Sequence, residues 1–203
     1  MTNLRQVVRP ITVILCRTLL CYAPSFLAEI AMDLGILETG APPADLKNRF
    51  GSYGDMFRQM LGPGYRYSCY DVRIGQLPEQ VGRHDAYLIT GSASGVYDGD
   101  AWIGSLKQFI QQSAGRTPVV GICFGHQIMA EAYGGRVAKS PKGWGVGLHS
   151  YDIQRRADWM NSDAELTLSI PVSHQDQIID LPAGAKVLAA SEFTPFAVLE
   201  YPE

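Results

Sequence analysis

Short apolar runs bounded by turn-forming residues recur along the first half of residues 32–203, and they predict buried strands. The runs are Leu34–Leu37, Tyr65–Val72, Ala86–Thr90 and Val119–Ile122. Strands spaced this way, with helical segments between them, predict an α/β fold. We expect a mostly parallel sheet with helices on both faces, that is, a flavodoxin-like core.

Two of the intervening segments have helical spacing and residues that favour helix ends. The first runs from the N-cap candidate Ser52 to about Leu61, where a Gly-Pro-Gly sequence stops it. The second covers Ala101–Ser113, with Asp100 as its expected cap and Gly115 just beyond its end.

The pattern changes after residue 135, where short strand-like pieces alternate with Gly, Pro and Asp. These pieces are Gly145–Ile153, Glu165–Ile170, Lys186–Ala190 and Phe196–Leu199. They predict a small, partly antiparallel β part in the second half of the domain.

Residues 1–31 form an extension that differs in charge from the rest of the chain. Three arginines and one glutamate give the extension a charge of +2, so residues 32–203 carry −5 of the total of −3. Arg17 divides the extension into two apolar runs, each shorter than the ~20 residues that span a bilayer. A docked amphipathic helix, a weak targeting signal and a non-native extension before a natural start at Met32 all fit this pattern.

Composition narrows the class of partner. The chain has 203 residues, 46% of them hydrophobic, which suffices for one domain over residues 32–203. Its basic residues are scattered, so neither nucleic acid nor a membrane surface is an expected partner. Four irregularly spaced cysteines exclude a disulfide scaffold and a C-x-x-C zinc site, and they favour a cytoplasmic location. No cofactor and no metal are expected.

The strongest chemical signal is the pattern G-x-C-x-G at Gly121–Gly125, between a predicted strand and a predicted helix. It has the form of a nucleophile elbow with Cys123 as the nucleophile. Small residues are needed on both sides of so tight a turn, and the helix N-terminus favours a thiolate. The alternative is a buried structural cysteine. His126 follows closely, but a helical position directs it along the helix, so we expect a structural role for it.

A glycine-rich loop, Thr90–Asp98, follows the third predicted strand. In a parallel sheet such a loop lies at the carboxyl edge, where ligands bind. Its N–H groups are candidates for one arm of an oxyanion hole, and a plain connection into the next helix is the alternative.

These motifs together resemble a known family. G-I-C-F-G-H-Q at Gly121–Gln127, T-G-S-A-S-G-V-Y-D upstream, and G-W-G-V-G and V-S-H-Q-D-Q downstream resemble class I glutamine amidotransferases, in particular stand-alone domains similar to the amidotransferase part of GMP synthase. The resemblance implies hydrolysis of the glutamine side-chain amide through a thioester on Cys123. It also implies that a synthetase subunit or domain receives the ammonia.

The resemblance assigns further roles by position. Gly91 and Phe124 would supply oxyanion N–H groups. Gln127, Ser173, Gln175 and Asp176 would hold the glutamine.

The base that the family uses lies in a final H-P-E motif, and this chain departs from that pattern. Tyr201-Pro202-Glu203 imitates it, but a phenol with a pKa near 10 does not replace an imidazole. We therefore expect a C-terminally incomplete domain with impaired turnover, an exposed sheet edge, and His174 as a possible substitute base.

Two other functions remain open on the sequence. One is a non-catalytic domain that binds glutamine or a partner protein. The other is a different cysteine hydrolase: the G-H-Q and S-H-Q-D sequences disfavour a dienelactone type, whereas a γ-glutamyl peptide hydrolase shares the same chemistry.

Overall fold

The structure is a computed structural model that describes residues 32–160 and 166–202. The interpretations of residues 1–31 as an extension, a targeting signal or an amphipathic helix fall outside the described residues. The domain assignment to residues 32–203 stays a prediction.

A four-stranded parallel sheet forms the first half of the domain. Its strands are β1 (Met32–Glu38), β2 (Tyr65–Asp71), β3 (Ala86–Ile89) and β4 (Val119–Gly121). They lie in the order β2-β1-β3-β4, and every neighbouring pair is parallel. The predicted fold class is confirmed, with strand ends within two residues of those predicted. All carboxyl ends therefore lie at one edge of the sheet.

Four α-helices accompany this sheet in the described part of the chain: α1 (Ala44–Phe50), α2 (Tyr53–Leu61), α3 (Ala101–Ser113) and α4 (Phe124–Ala132). Ser52 caps α2 through a capping box with Asp55, as its position predicts. The expected side-chain cap at Asp100 is wrong, because only its main-chain carbonyl accepts a bond, from Ile103. Helix α1 buries no residue, so it has no apolar stripe from which to predict it.

The core lies between α3, α4 and the sheet. Fully buried Leu106 and Ile110 of α3 and Ile128 of α4 pack in one cluster with Tyr87 of β3. Burial of such side chains contributes roughly 1.5–3 kcal/mol each. This packing holds α4, and with it the residue at its N-terminus, against the carboxyl edge of the sheet.

The second half is antiparallel β structure, as predicted. Its strands are β5 (Arg136–Lys139), β6 (Gly145–Ile153), β7 (Thr167–His174), β8 (Asp176–Asp180), β9 (Lys186–Ala190) and β10 (Val198–Glu200). One sheet has the order β10-β9-β6-β7, and β5 pairs with β8.

Two details of this half differ from the sequence prediction. Strand β7 continues through Pro171 to His174, four residues beyond the predicted end at Ile170. Among the described residues β7 is the outer strand of its sheet, and edge strands are where a sheet tolerates proline. Strands β5 and β8 are too short and too polar to be recognised in the sequence.

Strand β4 forms one edge of the parallel sheet within the described residues, where it pairs only with β3. Val120 and Ile122 are 37% and 43% exposed beside this edge. The exposed edge that the sequence predicts from a missing C-terminal strand stays a prediction. In the same described ranges, no helix is long and apolar enough to cross a membrane.

Candidate active site

Cys123 lies at a strained turn between β4 and α4. Its φ is 56° and its ψ is −109°. Among the described residues, it is the one non-glycine residue with a positive φ. The turn is held on both sides, because the Ile122 N–H donates to Ile89 O at 3.0 Å and the Gly125 N–H donates to Thr90 O at 3.2 Å. Strain kept by such surroundings is common at functional sites.

The two glycines of the G-x-C-x-G pattern allow backbone segments to approach closely. A β-carbon at Gly121 would lie 2.3 Å from the carbonyl oxygen of Gly125. One at Gly125 would lie 2.4 Å from the carbonyl oxygen of Ile89 in β3. Neither position has room for a side chain, so this turn requires glycine at both sites.

The protonation of the Cys123 thiol results from opposing effects. Desolvation raises its pKa, the N–H of Phe124 lowers it by hydrogen bonding, and the charge of Asp176 raises it. The net pKa is raised, although the residue as a whole is exposed. The N–H at the start of the helix acts in the expected direction, because it lowers the pKa, but desolvation has the larger effect. The Phe124 N–H that lowers this pKa belongs to the same turn as the sulfur, and its role as an oxyanion donor stays a prediction.

Gly91, two residues after the end of β3, lies against Cys123. A β-carbon at Gly91 would be 3.9 Å from Cys123 Sγ. The loop is fixed there by buried Thr39, whose hydroxyl lies 2.9 Å from Thr90 O and 3.1 Å from Gly91 O. The Gly91 N–H takes part in no hydrogen bond within residues 32–160 and 166–202, so it is not occupied by the protein itself.

The S-H-Q-D segment reaches the same place from the other half of the domain. Gln127, on the first turn of α4 after Cys123, donates its Nε2–H to the main-chain oxygen of Asp176 at 2.8 Å. The main-chain oxygen of Gln175 accepts from Ser140, and Ser173 is exposed at the end of β7. Of the predicted binding residues, Gln127 and Asp176 lie beside the Cys123 turn, and the placement of Ser173 and Gln175 in the site stays a prediction. Their contacts with a substrate stay predictions.

Neither nearby histidine contacts the Cys123 thiol. The His126 ring is buried, which lowers its pKa, and Nε2 lies 2.8 Å from Phe196 O, so that nitrogen carries the proton. Burial also lowers the pKa of His174, whose Nδ1 lies 3.2 Å from Asp176 O and whose ring packs on Phe193. His126 has the structural role expected of it, and His174 stays a prediction as a base.

Comparison with known proteins agrees with this geometry. The family model described as glutamine amidotransferase class-I matches residues 65–201, about two thirds of the chain. The chain belongs to the class I glutamine amidotransferase family. It is 32% identical over 153 residues to γ-glutamyl peptidase 4 of Arabidopsis thaliana, an alignment that covers 71% of this chain and 61% of that protein. It is 34% identical over 118 residues to a glutamine-hydrolysing GMP synthase of Azoarcus, and this alignment covers 55% of this chain and 22% of that protein.

Solved structures show the same fold. A glutamine amidotransferase from Thermotoga maritima superposes with a TM-score of 0.70 at 18% identity, covering 84% of this chain and 72% of that chain. A glutamine amidotransferase from Methylobacillus flagellatus superposes with a TM-score of 0.63 at 22% identity, and the match covers 84% of this chain and 66% of that chain. The chain spans about three fifths of the length of the curated γ-glutamyl peptidases that it matches.

Three residues of this amidotransferase domain were not found by sequence reasoning. Thr39 is buried and fixes the start of the glycine-rich loop. Tyr53 lies close enough to Cys123 for the thiolate charge to raise its pKa, after the larger effect of desolvation. Tyr97 donates a hydrogen bond to the carboxylate of Asp176 at 2.8 Å. Each contact joins segments that are far apart in sequence, so no local pattern indicates it.

Proposed function

We propose that this chain cleaves γ-glutamyl amide bonds through a thioester on Cys123, with glutamine as the simplest substrate. The observation that carries the proposal is the strained Cys123 turn, with Gly91 packed against the sulfur and the Phe124 N–H in the same turn. A cysteine presented in this way beside unoccupied N–H groups suits attack on a carbonyl carbon.

In the proposed reaction the Cys123 sulfur attacks the side-chain amide carbon of glutamine. The resulting oxyanion accepts from the N–H groups of Phe124 and Gly91. The C–N bond then breaks, and the amine leaves as ammonia after taking up the proton that the thiol lost. Water attacks the thioester carbon, which releases glutamate and restores the thiol.

Proton transfer needs a base, and among the described side chains the candidate is His174. If the Nδ1–H of neutral His174 faces the Asp176 carbonyl, its Nε2 keeps the lone pair that a base needs. His174 does not touch the thiol, so we expect thioester formation and hydrolysis to be slow. Loss of a catalytic histidine costs several orders of magnitude in related mechanisms.

A second candidate substrate is a γ-glutamyl peptide. The similarity to γ-glutamyl peptidases of Arabidopsis thaliana supports this substrate. Three of these proteins are 30–32% identical to this chain over 71–72% of its length. The chemistry is the same, and only the leaving amine changes. Exposure of Cys123 leaves space for a leaving group larger than ammonia.

The nucleophile is tested by labelling with the diazoketone analogue of glutamine. The sulfur displaces dinitrogen from the analogue, and intact mass with peptide mapping locates the adduct. We expect an adduct on Cys123 that glutamine suppresses, and none in Cys123→Ser. Cys69→Ser is the matched control, because Cys69 is the other free thiol in the described ranges and should not affect labelling. Labelling that glutamine does not suppress contradicts the proposal.

The two substrates are separated by product analysis. Ammonia release from glutamine and amino-acid release from a γ-glutamyl dipeptide are measured with and without hydroxylamine, which traps the thioester as a hydroxamate. We expect hydroxamate to form at the expense of glutamate, because hydroxylamine attacks a thioester faster than water does. If ammonia is the main product, we propose a synthetase as its acceptor, in the cytoplasm, where unpaired thiols persist.

A further inference from the structure

The hydroxyl of Tyr97 connects two segments that are 79 residues apart and that both approach Cys123. It donates to Asp176 Oδ2 at 2.8 Å. Tyr97 belongs to the glycine-rich loop that begins at Gly91, beside the sulfur. The Asp176 carboxylate is close enough for its charge to raise the pKa of the Cys123 thiol. The bond therefore crosses the rim of the candidate active site.

The position of the Tyr97 ring is fixed by its neighbours in the loop. Val96, the preceding residue, is 1% exposed and packs in the core. A β-carbon at Gly95 would lie 2.8 Å from Cε2 of the Tyr97 ring, so the ring lies directly on the main chain there. The residue is 49% exposed, so the ring lies at the surface, and its hydroxyl bonds Asp176 at the solvent-exposed side of the site.

Asp176 is also hydrogen-bonded to the helix that begins just after Cys123. Its main-chain oxygen accepts from Gln127 Nε2 at 2.8 Å, and Gln127 N–H donates to the Cys123 carbonyl at 3.0 Å. The glycine-rich loop, the S-H-Q-D segment and helix α4 are thus hydrogen-bonded through one aspartate. In the described ranges, no other hydrogen bond joins residues 91–98 to residues 173–176.

We propose that Tyr97 is a positioning residue that fixes the Asp176 carboxylate and the spacing between the Gly91 loop and the S-H-Q-D segment, so that the cleft fits a γ-glutamyl group. This proposal rests on the proposed function. Tyr97 acts through Asp176 and does not touch the reacting carbonyl. With Oδ2 held by Tyr97, Oδ1 of Asp176 is left to accept from a cationic group of the substrate.

The phenol remains a donor at the pH of any ordinary assay. Desolvation first, then the hydrogen bond and charge of Asp176, raise the pKa of Tyr97 to about 12. The bridge is therefore intact at neutral and mildly alkaline pH.

The test compares two reagents for Cys123 on the full chain. The diazoketone analogue of glutamine reports recognition through KI and reaction through kinact, whereas iodoacetamide reports only access to the thiol. We expect Tyr97→Phe to raise KI on the order of tenfold, the typical effect of one hydrogen bond to a carboxylate. The kinact and the iodoacetamide rate should each change by less than about twofold, because Tyr97 does not touch the thiol and the substitution leaves its access unaltered. Tyr67→Phe is the matched control, since it removes a hydroxyl bonded to Gly62 O, away from Cys123.

Double variants test whether Tyr97 acts through Asp176. In an Asp176→Ala background, Tyr97→Phe should leave KI unchanged, because the acceptor is already gone. Additive effects contradict the proposal, as does an unchanged KI in Tyr97→Phe alone. An equal loss of labelling by both reagents also contradicts it, because that result indicates general damage to the fold. If the unmodified chain reacts with iodoacetamide but shows no saturable labelling by the analogue, the proposed function fails and this inference fails with it.

Discussion

A methyl group at Gly125 should force α4 away from β3. The added β-carbon would lie 2.4 Å from Ile89 O, 2.9 Å from Ile89 Cβ and 3.0 Å from Ile89 C. Ordinary carbon contacts lie at about 3.5–4.0 Å, so the helix has to move by roughly 1 Å. The obstacle is the backbone of a buried central strand, which cannot rotate aside as a flexible side chain does.

The cost of Gly125→Ala follows from overpacking and lost hydrogen bonding. Overpacking of this kind costs about 1–3 kcal/mol. The Gly125 N–H bonds to Thr90 O and Ile122 O will also lengthen, at roughly 1 kcal/mol for each bond broken. Alanine returns about 0.5–1 kcal/mol through its higher helix propensity. We expect a net loss of about 2–4 kcal/mol in the free energy of unfolding.

Urea unfolding measures this loss, with Gly104→Ala as the matched control. Gly104 lies in α3, and a β-carbon there meets no atom within 4 Å. Its replacement should stabilise the domain by about 0.5–1 kcal/mol, whereas Gly125→Ala should lower the urea midpoint by about 1–2 M. The Cys123 alkylation rate, measured well below the midpoint, should also change. Equal midpoints for the two variants, with unchanged alkylation, would refute the steric argument.

Three further predictions concern charge and capping. Asp176→Asn removes a charge that raises the pKa of Cys123, so the pH profile of iodoacetamide alkylation should move to lower pH; a move to higher pH contradicts this. Ser52→Ala should lower the free energy of unfolding by about 1 kcal/mol, because Ser52 accepts the N3 N–H of α2; chemical denaturation checks it. The hydrogen bond from Lys186 holds the pKa of Glu200 below its usual value. The ionised Glu200 side chain therefore stabilises the fold fully above the usual glutamate pKa, near pH 4.3. This stabilisation is lost as the pH falls through the lower pKa of the folded state. Glu200→Gln should therefore make the free energy of unfolding less dependent on pH in this acid range, which acid unfolding measures.

The parts of the fold predicted correctly from the sequence are those in which one local pattern determines the structure. The buried run Leu34–Leu37 and the stripe of Ala101–Ser113 each contain enough apolar side chains to specify strand or helix alone. Helix α1 buries nothing, so its sequence carries no such periodicity. Strand β7 passes through Pro171, which local rules treat as an end, because only the sheet order shows that this strand lies at an edge.

The same distinction explains the candidate site. The Cys123 turn could be predicted because its steric requirement is met by glycines two residues away on each side. The protonation of the thiol could not be predicted from the turn, because desolvation depends on distant segments packed around it and the charge of Asp176 comes from 53 residues away. The helix N-terminus does supply the Phe124 hydrogen bond that lowers the pKa, but desolvation has the larger effect.

The opposing effects on the thiol also bear on how the site is used. A raised thiol pKa lowers the fraction of thiolate, which is the nucleophilic form. The Asp176 carboxylate, which adds to that pKa, is hydrogen-bonded by Tyr97 at Oδ2 and retains Oδ1. A cationic group that pairs with Oδ1 offsets the charge that disfavours the thiolate, since opposite charges at short range favour ionisation. Recognition of the substrate and activation of Cys123 are therefore expected to depend on the same aspartate.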